Sequence, residues 1–297
     1  MNHELPLWLL PVIGSALGLG FYDLCKKHAV RENSVMPVLF FATLCGSSVF
    51  VVMTLLFGDW RADVFCTGAH WLLVLLKSML VASSWVCVYY AMRELPVSLA
   101  SPIRASSPLW TFFGSLLLYS EVPTLLQAAG MISIFAGYYF FSVFGRLEGF
   151  SFRRSRGIHL ILLGTLLGAC SALYDKYLLG MLHIPRGTVQ FWFSVDLVWI
   201  LGLAYAVRTF WFGHRHSFQW RWSIPLTGIL LIAADYLYFY AVSLPDTYIS
   251  VVSLVRRCSC LVTFFVGVFW FHEKNVRRKA FALGLILLGV ILLALAK

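Results

Sequence analysis

Charge is scarce in this sequence. Of its 297 residues only 12% are Asp, Glu, Lys or Arg, while 60% are apolar and the mean hydropathy is +0.83. So few polar groups cannot cover a water-facing surface, which excludes a soluble globular protein. The apolar–polar alternation of a membrane β-barrel is missing too, so helices must satisfy the backbone in lipid. No basic segment precedes the first apolar stretch and no small-x-small site follows it, so that stretch is expected to remain as a span. Catalytic signatures are lacking: His272-Glu273 continues as HEKNV rather than H-E-x-x-H, and G-x-S-x-G does not occur. No enzyme and no catalytic residue is therefore indicated. The seven cysteines show neither a disulfide framework nor zinc spacing and read as small packing residues, with no metal or cofactor expected.

What is present is a series of long apolar runs, each near the roughly 20 residues that span a bilayer. They place ten spans at 6–28, 35–57, 69–92, 96–119, 123–144, 157–180, 187–212, 222–243, 246–271 and 278–296. The run 101–121 (SPIRASSPLWTFFGSLLLYSE) returns 152 residues later as 253–273 (SLVRRCSCLVTFFVGVFWFHE), with eight of 21 positions identical, Arg104/Arg256 and Glu121/Glu273 among them. The same offset maps Tyr22-Asp23 onto Tyr174-Asp175. A fixed spacing marks a duplicated unit, here 1–150 and 151–297 with five spans each. Because five is odd, the second unit enters the membrane upside down. The fold class expected is an all-α integral membrane protein of ten helices in two inverted five-helix repeats. Gly14-x-x-x-Gly18 and Gly164-x-x-x-Gly168 predict close helix packing in the first and sixth spans. Leu95-Pro96 and Leu244-Pro245 are read as opening the fourth and ninth helices, and Pro102 and Pro108 as kinks inside the fourth.

The net charge of +10 would direct a soluble protein to nucleic acid, but here the basic residues fall in short loops. Loops after odd-numbered spans hold 15 of the 23 Lys and Arg (Lys26 and Arg93 among them), and the opposite side holds three, Arg61, Arg186 and Lys297. That bias places the former loops in the cytoplasm and both termini outside it, with no nucleic-acid partner.

Over 111–137 (TFFGSLLLYSEVPTLLQAAGMISIFAG) and 263–289 (TFFVGVFWFHEKNVRRKAFALGLILLG) the sequence resembles the EamA-type repeat of the drug/metabolite transporter superfamily. The shared pattern is a fourth helix ending in an apolar-x-Glu step, a short turn, and a Gly-punctuated fifth helix. Glu121 and Glu273 match the family's glutamate. The resemblance spans both halves and implies a secondary transporter moving a small metabolite, amino-acid-like or otherwise charged or amphipathic, by alternating access. A lipid-linked sugar or nucleotide-sugar carrier and a non-transporting membrane scaffold are the alternatives. The implied setting is the bacterial plasma (inner) membrane. Expected partners are the solute, the lipid bilayer, protons as a coupling ion and a second copy in a homodimer. In known members the termini are usually drawn as cytoplasmic, opposite to the charge bias of these loops.

Ionisable groups within spans cost about 2.5 to 3.5 kcal/mol each, so they need a partner, a wet cavity or a function. Asp23 with Arg104 and their repeat copies Asp175 with Arg256 fall at similar depths from opposite faces. They are expected to form gates that close alternately, or to offer arginines to an anionic group; static structural pairs and snorkelling are the bland readings. Asp235, heading the run DYLYFY, is the proton-coupling or amine-binding candidate, with Lys77 on the third span as its opposite-sign partner. Trp85, Tyr89, Trp110 and Tyr238 are the aromatics expected to line a cavity, although packing explains such runs as well.

Overall fold

The computed structural model describes residues 6–30, 33–94, 104, 106–120, 122–145, 155–212, 218–245, 247–259, 262 and 276–295. Glu121, Glu273, Pro96, Pro102 and Cys260, and the 146–154 linker, lie outside them. The helices are α1 (Leu9–Val30), α2 (Val35–Phe57), α3 (Trp60–Val64), α4 (Gly68–Glu94), α5 (Ser107–Tyr119), α6 (Leu125–Gly145), α7 (Arg156–Lys176), α8 (Arg186–Phe212), α9 (Ser223–Ser243), α10 (Ile249–Arg257) and α11 (Val276–Leu295). A π-helical turn, Tyr177–Met181, prolongs α7. Among the described residues there is no strand.

Among the described residues six helices, α1, α2, α4, α7 with its π turn, α8 and α9, are long and apolar enough to cross a membrane. At about 1.5 Å per residue each exceeds roughly 30 Å, the thickness of the hydrocarbon layer. The protein is a multi-pass integral membrane protein. The other four expected spans fall on α5, α6, α10 and α11. Within the spans expected at 96–119 and 246–271 the described helices α5 and α10 have 13 and nine residues, and much of the remainder of those spans lies outside the described residues. Pro108 sits in the first turn of α5, behind the N-cap Ser106, so it starts the helix and does not kink it. Pro245 lies in the connection ahead of α10, four residues before its first turn.

Surface and interior are inverted relative to a water-soluble protein. Leu117, Leu125 and Phe210 face outward, whereas Ser15, Ser78, Thr111, Gln190 and Ser223 are buried. Lipid solvates the former, and the latter are satisfied within and between helices. Ser78 Oγ donates to the Val74 carbonyl at 2.9 Å, Ser15 Oγ to Ala234 at 2.7 Å, Ser84 Oγ to Gly164 at 2.6 Å and Gln190 Nε2 to Ile232 at 3.1 Å. Such interhelical bonds contribute about 0.6 kcal/mol each.

α1 packs on α9 and α10, α4 on α7 and α8, α2 on α8 and α9, α5 on α7 and α10, and α6 on α11. At the α2–α9 crossing backbone meets backbone closely. A Cβ added at Gly228 would stand 1.8 Å from the Ala42 carbonyl oxygen, and one at Gly46 would stand 2.4 Å from that of Gly228.

A loop helix that the hydropathy did not foresee, α3, docks on the start of α8. The Asp59 side chain caps it by accepting from the Ala62 amide at 3.4 Å. Thr188 Oγ1 donates to Ala62 and Trp192 Nε1 to Val64, both at 3.1 Å. Beneath the loop lies Asp196, 5% exposed, with the Trp71 indole as the polar neighbour of its carboxylate, although neither Oδ2 nor the indole nitrogen completes a well-formed hydrogen bond among the described residues. A buried carboxylate without a cation is expensive. Asp196→Asn is therefore expected to raise the melting temperature of the purified protein; a fall would show that the charge is compensated.

Candidate substrate cavity

α1, α4, α7, α9 and α10 surround a cavity of about 200 Å³ in the interior of the bundle. Its charged groups sit at two depths. Toward the side carrying α3, Lys77 Nζ meets Asp175 Oδ1 at 2.9 Å and Arg256 Nη2 meets Asp235 Oδ1 at 2.7 Å. The Tyr238 hydroxyl donates to Asp175 Oδ2 at 2.8 Å, and its ring lies 4.1 Å from the Arg256 guanidinium. Lys77 also rests on Phe193 and Phe239, 3.8 and 4.4 Å from their ring centres. Two cations and two carboxylates balance here, and the aromatic faces supply further attraction in a dry setting. The Lys77 and Asp175 side chains are 2% and 4% exposed. Counted along their helices, Lys77, Asp175, Asp235 and Arg256 lie roughly 9 to 14 Å from that side.

The second group lies toward the other side. Asp23 is seven residues from the end of α1, about 10 Å. Its carboxylate takes Lys26 at 2.5 Å, and the same ammonium lies 4.4 Å from the Tyr22 ring centre. Arg104, three residues before α5, and Arg257, at the end of α10, are within electrostatic reach of both Asp23 and Lys26. Lys26, Arg104 and Arg257 all act on the Asp23 carboxylate.

Residues 6–143 match the EamA-like transporter family. That stretch, somewhat under half of the chain, is similar to this family. The family is part of the drug/metabolite transporter superfamily, whose members are membrane transporters rather than enzymes. No curated protein matches the chain. A solved structure, titled only "Crystal structure of protein", is similar with a TM-score of 0.73 at 14% identity, over 97% of this chain and 96% of that one. That likeness establishes a shared fold.

The residues singled out from sequence are distributed as follows. Lys77, Trp85, Tyr89, Arg104, Asp175, Asp235, Tyr238 and Arg256 line the cavity. Trp110 does not; it lies on the outer face of α5, 44% exposed. The ion pairs are re-partnered. Asp23 takes Lys26 instead of Arg104, Asp175 takes Lys77 instead of Arg256, and Arg256 takes Asp235, which was assigned to Lys77.

Helix register supplies the physical reason. Cβ atoms added at Gly14 and Gly18 of α1 would meet Leu237 and Ala234, and those at Gly164 and Gly168 of α7 would meet Cys87 and Ser84. These four contacts repeat at an offset of 150, not the 152 that aligns Asp23 with Asp175. A slip of two residues turns a helix by about 200°. Asp175 therefore points into the cavity while Asp23, with a side chain 37% exposed, is off its wall.

Lys26 was read from sequence as a loop residue; it belongs to α1, is 8% exposed and lines the cavity. Its spacing from Tyr22, one helical turn, was the available signal. Phe193 and Phe239, the platforms under Lys77, are indistinguishable in sequence from the many aromatics that only pack.

Proposed function

We propose that the protein is a secondary transporter that carries a small metabolite by alternating access between two inverted five-helix units, 1–150 and 151–297. The observation that carries this reading is the cavity itself, built from both halves and charged at two depths. The packing supports the inverted arrangement. Exchanging α1 with α7, α2 with α8, α4 with α9, α5 with α10 and α6 with α11 turns the set of main helix contacts into itself. A unit and its inverted copy related by an axis in the membrane plane would pack in this manner.

In this reading the Lys77–Asp175–Tyr238–Arg256–Asp235 network closes the pathway on one side and the Asp23–Lys26–Arg104–Arg257 group on the other. Asp175 and Asp235 are the cavity carboxylates available to a coupling proton. The basic loops face the cytoplasm of a bacterial inner membrane, which puts the second group nearer the cytoplasm. A cavity of about 200 Å³ lies below the roughly 300 Å³ at which drug-sized pockets begin, so it suits a solute nearer an amino acid than a nucleotide sugar in size. The test is uptake and counterflow of a metabolite panel in proteoliposomes, with and without a pH gradient. Arg256→Gln and Trp85→Ala are expected to reduce transport at least about tenfold, while Trp110→Ala leaves it unchanged. Panel-wide silence under every gradient would refute transport.

A further inference from the structure

The Lys77 ammonium is held in a recess to which four helices contribute. Carried on α4, it meets Asp175 Oδ1 of α7 at 2.9 Å and stands 3.8 and 4.4 Å from the ring centres of Phe193 on α8 and Phe239 on α9. Those two rings meet edge to face, at 90° with centres 5.9 Å apart, so they form two walls of a corner rather than a stack. A carboxylate and two aromatic faces gathered around one point are the elements that recognise an ammonium ion. The Tyr238 hydroxyl holds Asp175 Oδ2 at 2.8 Å, so the aim of the carboxylate does not depend on Lys77 alone. Lys77, Asp175, Phe193, Tyr238 and Phe239 all line the central cavity, and the recess borders the space a solute would enter. A static ion pair needs the carboxylate only; two rings turned to the same nitrogen fit a recess shaped for the ammonium itself.

We propose that the recess of Asp175, Phe193 and Phe239 is an ammonium-binding site and that Lys77 is its built-in occupant, the residue that sets the specificity of the cavity by keeping free amines off Asp175. The lysine is tethered to α4, so its ammonium is present at an effective concentration in the millimolar range or above, and a solute amine has to outcompete it. Truncation at Cβ hands the recess to a solute: n-propylammonium reproduces the Cγ, Cδ, Cε and Nζ of the missing chain. That the cavity is a transport pathway rests on the reading above; the ammonium site stands apart from it.

The test is chemical rescue of Lys77→Ala in the full chain, purified in detergent, with n-propylammonium chloride as the probe. 1-Propanol is the uncharged control, and sodium chloride matches the ionic strength. The melting temperature of Lys77→Ala is expected to rise saturably with n-propylammonium but not with 1-propanol or sodium chloride, and that of the unmodified chain to rise with the amine no more than with sodium chloride. Adding Asp175→Asn to Lys77→Ala abolishes the rescue. Adding Phe193→Leu instead weakens amine binding about threefold or more, the loss of one cation–π contact in a dry setting. Equal responses to amine and alcohol, rescue that survives Asp175→Asn, or an equal rise in the unmodified chain overturns the proposal. Should Lys77→Ala not survive purification alone, its recovery as a monodisperse protein with n-propylammonium present throughout, and not with 1-propanol, supports the site; failure with both overturns it. Rescue without counterflow of any metabolite by the unmodified chain would refute transport and leave this site standing; counterflow without rescue would do the reverse.

Discussion

Replacing Lys77 with methionine is expected to destabilise the protein by about 3 to 5 kcal/mol, the range for removing one partner of a buried ion pair. Lys77 and Asp175 are 2.9 Å apart and almost wholly enclosed, and Asp175 Oδ1 has no hydrogen bond beyond that ion pair to fall back on. The truncation strands a carboxylate whose other oxygen is held by the Tyr238 hydroxyl. Removing both charges should be milder: Lys77→Met combined with Asp175→Leu is expected to recover most of the lost stability, because an apolar pair of similar volume carries no desolvation penalty. The same double variant should remain inactive in transport, since the proposed gate loses both members of that pair. Thermal unfolding of the two single variants and the double, in one detergent, measures the coupling. Additive losses would show that the two side chains do not depend on each other.

The second large effect is steric. Gly228→Ala places a methyl group 1.8 Å from the Ala42 carbonyl oxygen and 2.8 Å from the Gly46 backbone nitrogen. Both obstacles are backbone, so α2 and α9 must separate along the crossing. The expected loss is about 3 kcal/mol, the upper part of the range for overpacked sites. Gly284→Ala is the control, because an added Cβ there meets nothing within 4 Å. That substitution is expected to be neutral or to stabilise α11 by up to about 1 kcal/mol, the difference in helix propensity. Equal melting temperatures for the two variants would remove the α2–α9 crossing as a determinant of the fold.

Much of this protein could be read before any coordinates. Scarcity of charge implied a membrane, because too few polar groups exist to face water, and six of the expected spans coincide within a few residues with helices long enough to cross it. The same scarcity made the interior charges conspicuous. Lys77, Asp175, Asp235 and Arg256 stood out against apolar surroundings, since a lipid-exposed ionic group is costly. The paired Gly-x-x-x-Gly steps pointed to close helix contacts, and α1 and α7 make them.

Pairing was decided by the tertiary structure. Which cation meets which carboxylate depends on how each helix is rotated, and hydropathy carries little record of rotation when every face is apolar: α4 holds Lys77, Trp85 and Tyr89 on its cavity side and Leu72, Leu76 and Met79 exposed on the other. The two-residue slip between the glycine and aspartate registers turned Asp175 inward and left Asp23 off the wall, undoing the symmetric pairs that an ungapped repeat suggests. Trp110 faces outward for a related reason, and Pro108 begins a helix instead of bending one because α5 starts at Ser107. Sequence by itself determined the solvent, six of the spans and the residues too costly to leave alone in lipid. The rotation and register of packed helices, set by glycines that admit a neighbour's backbone, determined which of those residues face the cavity and which hold one another.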